Sequence, residues 1–137
     1  IRAAPWDPQT RMEEGAAAFH KVMTFGGPPP GNGFPYLQDG ILNFVFGEMW
    51  CRPGLDERSR RWITLVGVAD SRAEVPIKSH FFAALKSGNC TVAELHEFVL
   101  HYSIHAGWPK GSEVQGAVFA QAANVEQGLN WDGTPLA

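Results

Sequence analysis

An all-α bundle of about six helices is the fold class this 137-residue sequence predicts, and three observations predict it. Apolar residues recur at helical spacing in six separate stretches. Each stretch is bounded by residues that start or stop helices, and no segment alternates apolar with polar as a half-buried strand does. At 45% apolar and 18% charged, the chain can fill a core and lacks the composition of a disordered segment.

The first helix opens with Asp7 as N-cap and Pro8 at the first helical position. Met12, Ala16, Phe19 and Met23 follow at helical spacing, and Gly26-Gly27 ends the pattern. Pro28-Pro29-Pro30-Gly31-Asn32-Gly33 can be neither helix nor ladder and reads as a stiff surface connector. A second helix runs from about Pro35 to Trp50, with Leu37, Ile41, Leu42, Val45 and Met49 as its apolar stripe, and stops before Pro53-Gly54. Asp56 caps a third, whose almost wholly apolar run from Trp62 to Ala69 predicts burial on nearly all sides. The fourth begins near Glu74, carries Ile77, Phe81, Ala84 and Leu85 on one face, and ends at Gly88-Asn89. Thr91 and Glu94 form a capping box for a fifth helix over 92–106, with Val92, Leu95, Val99 and Tyr102 facing inward. The sixth starts at Ser112, runs through Val114, Ala117, Val118 and Gln121, and gives way to an irregular tail from Gly128 to Pro135.

A single domain over 1–137 follows from the length: an N-terminal helix and Pro/Gly-rich loop (1–35), a core (36–126) and a tail (127–137). The net charge of −3 and the absence of a Lys/Arg run longer than Arg60-Arg61 leave no nucleic-acid or anionic-membrane footprint. Two cysteines, Cys51 and Cys90, make no disulfide framework and no CxxC, so a reducing cytoplasm is the expected compartment. No apolar run reaches membrane-spanning length. Ile1-Arg2-Ala3-Ala4-Pro5 is no secretory signal, and the lack of an initiator Met implies that a short leading segment is removed or not included.

Glu48, His80 and the histidines His96, His101 and His105 are polar, titratable groups on otherwise apolar helices, a costly placement unless they are paired or working. His80 lies beside the core stripe of its helix. Glu48 sits at the negative end of its helix dipole and needs a compensating neighbour. His101 and His105, four apart, share a helix face. That spacing suits a metal, but no Glu stands in the HExxH position, so the expected roles are pocket border or subunit interface.

The block from Phe46 to Gln121 resembles the carboxymuconolactone decarboxylase family of the alkylhydroperoxidase D-like superfamily. The matching pieces are Phe46-Gly47-Glu48, Arg52 to Arg58, Trp62 to Ala69, His80 with Ala84-Leu85 and Gly88, Thr91 to Glu94, and Ala106-Gly107-Trp108-Pro109. The superfamily's peroxidase branch uses a CxxC, a His four residues after it and a Glu twelve residues before it. Counted back from His80, those positions hold Ala73, Pro76 and Arg61, so dithiol peroxidase chemistry has no sulfur to use. The resemblance therefore implies the branch without CxxC: an alkylhydroperoxidase D-like bundle, a trimer or hexamer, acting without cofactor on a small carboxylated, cyclic, conjugated substrate of the kind met in aromatic catabolism. It implies His80 as hydrogen-bond donor or acid, Glu48 as its orienting or proton-sharing partner and Arg52 as a carboxylate anchor. Trp50, His101, His105 and Trp108 would border the substrate. Isomerisation, dehydration or cyclisation by the same pair, and a non-catalytic binding or assembly protein, stay open as alternatives. The loop over 26–35 departs from the family pattern and is a candidate lid or partner-binding segment.

Overall fold

The computed structural model describes residues 7–136, so the reading of residues 1–5 lies outside the described residues. Six helices follow one another: α1 (Pro8–Met23), a π-helix (Tyr36–Met49), α2 (Glu57–Ser71), α3 (Glu74–Lys86), α4 (Val92–Ala106) and α5 (Trp108–Glu126). Among the described residues there is no strand, and no helix is long and apolar enough to cross a membrane. Contacts divide the chain into two compact units, residues 1–60 and 61–137, and the division falls inside α2.

In the first unit, Asp7 caps α1 as expected: its carboxylate accepts from the Thr10 amide at 2.8 Å, and hydrogen bonds from Thr10 hold its pKa below the usual value. The helix stops at Thr24, in the left-handed region at φ 68°, before Gly26-Gly27 is reached. The second helix is present but winds wider than an α-helix. Trp50 N–H bonds to the carbonyl of Val45, five residues back, at 2.9 Å. The wider winding moves the buried stripe to Gln38, Leu42, Phe46 and Trp50, every fourth residue, and of the expected stripe only Leu42 is buried. α1 and the π-helix meet where Gly15 lies against the Leu42 carbonyl, a gap that no Cβ could enter. Phe19 stands edge-on to Phe46, their centroids 4.8 Å apart. The Pro/Gly-rich loop is tied down: Gly31 N–H donates to Gln38 Oε1 at 2.6 Å, and Asn32 bonds to Pro29 and Phe34.

The core of the second unit gathers Leu65 and Ala69 of α2, Ile77, Phe81 and Ala84 of α3, Leu95, Val99 and Tyr102 of α4, and Val114 and Val118 of α5. α5 packs on both α3 and α4. The apolar run in α2 is not buried all round. Leu65 and Ala69 face inward, whereas Ile63 is 61% and Val66 49% exposed. Val92, expected inward on α4, is likewise exposed. The Thr91 cap is present, its Oγ1 accepting from the Glu94 amide at 3.1 Å. α5 begins at Trp108, four residues before the expected Ser112, because Pro109 fits the first turn of a helix and Gly107 turns the chain into it at φ 105°. At the crossing of α4 and α5, Gly111 leaves room for the Ser103 side chain. The tail is irregular yet anchored: buried Gln121 donates through Nε2 to the Trp131 carbonyl at 3.1 Å, and Leu129 bridges to Pro135.

Candidate active site

Glu48, Trp50 and Arg52 belong to the first unit, and His80, His101, His105 and Trp108 to the second. In the first unit Glu48, at the end of the π-helix, accepts from Arg11 Nη2 of α1 at 2.9 Å, both side chains about 30% exposed. That ion pair offsets the unfavourable helix-terminal position, and Arg11 is a residue sequence reasoning missed because it lies 37 positions away. Trp50 is buried, at 7% exposure, with its ring parallel to that of Phe46 at 6.2 Å. Its place is in the packed interior rather than on a ligand-facing surface. Arg52 is exposed after the helix end, and its carbonyl accepts from Arg60 Nη2 at 2.8 Å.

In the second unit His80 stands half-buried on α3 between the buried Ser79 and Phe81. Its Nδ1 is buried and makes no hydrogen bond. Burial, with the positive charge of Arg61 added, pushes its pKa down to about 4, so the ring is neutral at pH 7. Arg61 itself is fully buried, its Nε donating to Asn89 Oδ1 at 3.1 Å. The position where the peroxidase relay would carry a Glu thus holds the opposite charge next to the histidine. Sequence counting located Arg61 but gave no sign that it was buried there.

His101 and His105 stack in parallel on α4 with centroids 5.1 Å apart, His105 Nδ1 donating to the His101 carbonyl at 3.1 Å. With Trp62, Phe98, Glu94 and Glu97 they line an open, largely apolar cavity of about 770 Å³. His96 does not join them. It pairs with Gln115 Nε2 at 3.1 Å, packs on the Phe119 ring, and lines a separate groove of about 420 Å³ together with Trp108. Among the described residues no three His, Cys, Asp or Glu side chains converge as a metal would need. Tyr102, beside the larger cavity, is tied through its hydroxyl to Asp70 at 3.4 Å. Asp70 also takes a 2.8 Å bond from Lys110 that lowers its pKa.

No family model and no solved structure matches the chain. It is 36% identical to the 4-carboxymuconolactone decarboxylase of Acinetobacter baylyi over 73 residues, 53% of the chain and 54% of that protein. It is 32% identical to the nitrosuccinic acid decarboxylase of Metarhizium robertsii over 81 residues, 57% of the chain and 56% of that protein. The chain spans about half the length of the curated relatives it matches.

Proposed function

We propose, from the chain's similarity to these two decarboxylases, that it is a decarboxylase-type lyase for a small carboxylated substrate that carries its own electron acceptor, and that it needs no cofactor. The two relatives' names motivate the substrate class. In a carboxylated muconolactone, as in nitrosuccinate, the electron pair left by departing CO₂ can flow into a neighbouring acceptor group, a lactone carbonyl through the double bond or a nitro group. Such a substrate is its own electron sink, so the protein has only to bind it, stabilise the developing oxyanion and return a proton to carbon.

The observation that carries this reading is the environment of His80. A ring whose pKa lies near 4 holds no proton to release at pH 7, so of its two expected roles the hydrogen-bond donor is favoured over the acid. A neutral N–H donor backed by the Arg61 charge suits an enolate or nitronate oxygen, because it polarises the acceptor without giving up its proton. Glu48, steadied by Arg11, is the proposed proton-handling carboxylate, and Arg52 the proposed anchor for a substrate carboxylate. Residues 1–137 act in this reading as one functional domain, assembled as a homo-oligomer in a reducing cytoplasm.

The test is CO₂ release from 4-carboxymuconolactone and from nitrosuccinate by the purified chain. Product should form, and His80→Gln and Glu48→Gln should each lower kcat at least tenfold, about 1.4 kcal/mol of transition-state stabilisation, while circular dichroism stays helical. Rearranged product without CO₂ would instead select isomerisation, and ligand-induced thermal stabilisation without turnover would select a binding protein.

A further inference from the structure

Arg61 is the one charged side chain among the described residues that is buried, with none of its surface exposed. Taking a guanidinium out of water is costly, and a fold keeps one there where hydrogen bonds hold it and its charge has a use. Arg61 lies in α2, yet the group that receives its Nε comes from the turn between α3 and α4: Asn89 Oδ1 accepts at 3.1 Å, across 28 positions of sequence. The local sequence explains why that amide stands there. Gly88, at φ 79°, ends α3 in the left-handed region, and the Cys90 N–H closes the helix end on the Ala84 carbonyl at 3.0 Å. Cys90 is buried, and the Asn89 N–H donates to Ser87 Oγ at 3.2 Å. The backbone on both sides of Asn89 is therefore fixed, and its side-chain carbonyl is offered to α2 from a set position.

His80 is the group on which this charge acts. Its Nδ1 is buried and makes no hydrogen bond, and Arg61 adds to burial in lowering its affinity for a proton. The other ionisable groups of α3 and of α5, which packs on it, are paired or exposed: Glu74 with Lys78 on α3 itself, Glu113 of α5 with Arg72, Lys110 of α5 with Asp70 of α2, and Lys86 and Glu126 exposed. The interaction of two charges falls with their separation and grows as water is excluded. A residue that sets where the buried guanidinium lies thus sets how strongly it acts on the ring.

We propose that Asn89 is a positioning residue of the candidate site: its side-chain carbonyl fixes the Arg61 guanidinium in the interior, where the charge acts on His80. The assignment rests on the donor role proposed for His80 and deepens it, since it gives the turn after α3 control over the ring that α3 carries. Asn89 acts through Arg61 and so loses its effect on the ring once position 61 carries no charge. An Asn89 that only closed the turn would change stability and leave the His80 titration where it was.

Histidine-selective NMR titration of the full chain reads this without any substrate, with His80→Gln identifying the His80 signal. The wild-type ring should titrate at about 4. Arg61→Met removes the charge and keeps an apolar side chain in its place. It should raise the midpoint by roughly half a pH unit or more, about threefold in proton affinity, while burial still holds it below the ordinary 6.5. Asn89→Ala should raise the midpoint as well. Asn89→Asp, nearly the same shape with a carboxylate that offsets the guanidinium, should also raise it and serves if the alanine variant does not fold. In the Arg61→Met background, Asn89→Ala should add nothing. A midpoint unmoved in the folded Asn89 variants overturns the proposal, and so does an Asn89→Ala shift of the same size with Arg61 present or replaced. In CO₂ release, the low-pH limb should move up with the midpoint in Asn89→Ala. Titrations as expected from a wild type that releases no CO₂ would sink the decarboxylase reading and leave the positioning role standing.

Discussion

His80 shows what burial does to one side chain. The unfolded chain holds this imidazole at its ordinary pKa of 6.5 and the folded chain at about 4, so between those values the unfolded state binds the proton first. Its contribution to stability is therefore complete above pH 6.5 and is lost as the pH falls toward 4, a change on the order of 3 kcal/mol. The unfolding midpoint of the wild type should fall over that window more steeply than that of His80→Gln. Parallel curves for the two proteins would mean that the ring is solvated. The same desolvation gives the residue its proposed chemistry, because a histidine that stays neutral at pH 7 can donate a hydrogen bond to a developing oxyanion without becoming an acid. Arg61 illustrates the limit of reading residues singly. In the sequence it ends a polar helical turn, and only packing takes its guanidinium to full burial beside His80.

At the scale of elements, caps and breakers were legible and winding was not. Asp7 with Pro8, Thr91 with Glu94, and Gly88 after α3 mark helix ends by local chemistry, and the helices begin or end within a few residues of those marks. The 36–49 segment was legible as a helix, but its stripe was misplaced. Apolar spacing assumes 3.6 residues per turn, whereas the segment closes hydrogen bonds five residues back. The start of α5 was missed because Trp108-Pro109-Lys110-Gly111 looks like a loop until Gly107 is seen to set the first turn. Of the candidate site, Glu48 and His80 were legible as polar groups on apolar helices, but their partners Arg11 and Arg61 were not, since one pairing spans 37 positions and the other depends on burial. Helix crossings give a direct check. Gly15→Ala would push a methyl into the rigid Leu42 carbonyl and should cost about 1–3 kcal/mol of stability, whereas Gly116→Ala, on an open helical surface, should gain about 0.5–1 kcal/mol. Chemical denaturation of both variants separates the two cases. Equal effects would show that the α1 crossing yields.

For the whole molecule, the described residues form six helices and no strand; Glu48 and Arg52 belong to one compact unit and His80 to the other. Each unit supplies a distinct charge arrangement: a surface-accessible Arg11–Glu48 pair in the first, a buried Arg61 beside a neutral His80 in the second. The central claim, that a neutral, half-buried His80 supports decarboxylation, is tested most directly by measuring CO₂ release at pH 7.5 from the two proposed substrates with wild type and His80→Gln. The account predicts release by the wild type and a kcat at least tenfold lower in a variant that still unfolds cooperatively. Release at an unchanged rate by the variant, or no release by the wild type, would contradict it.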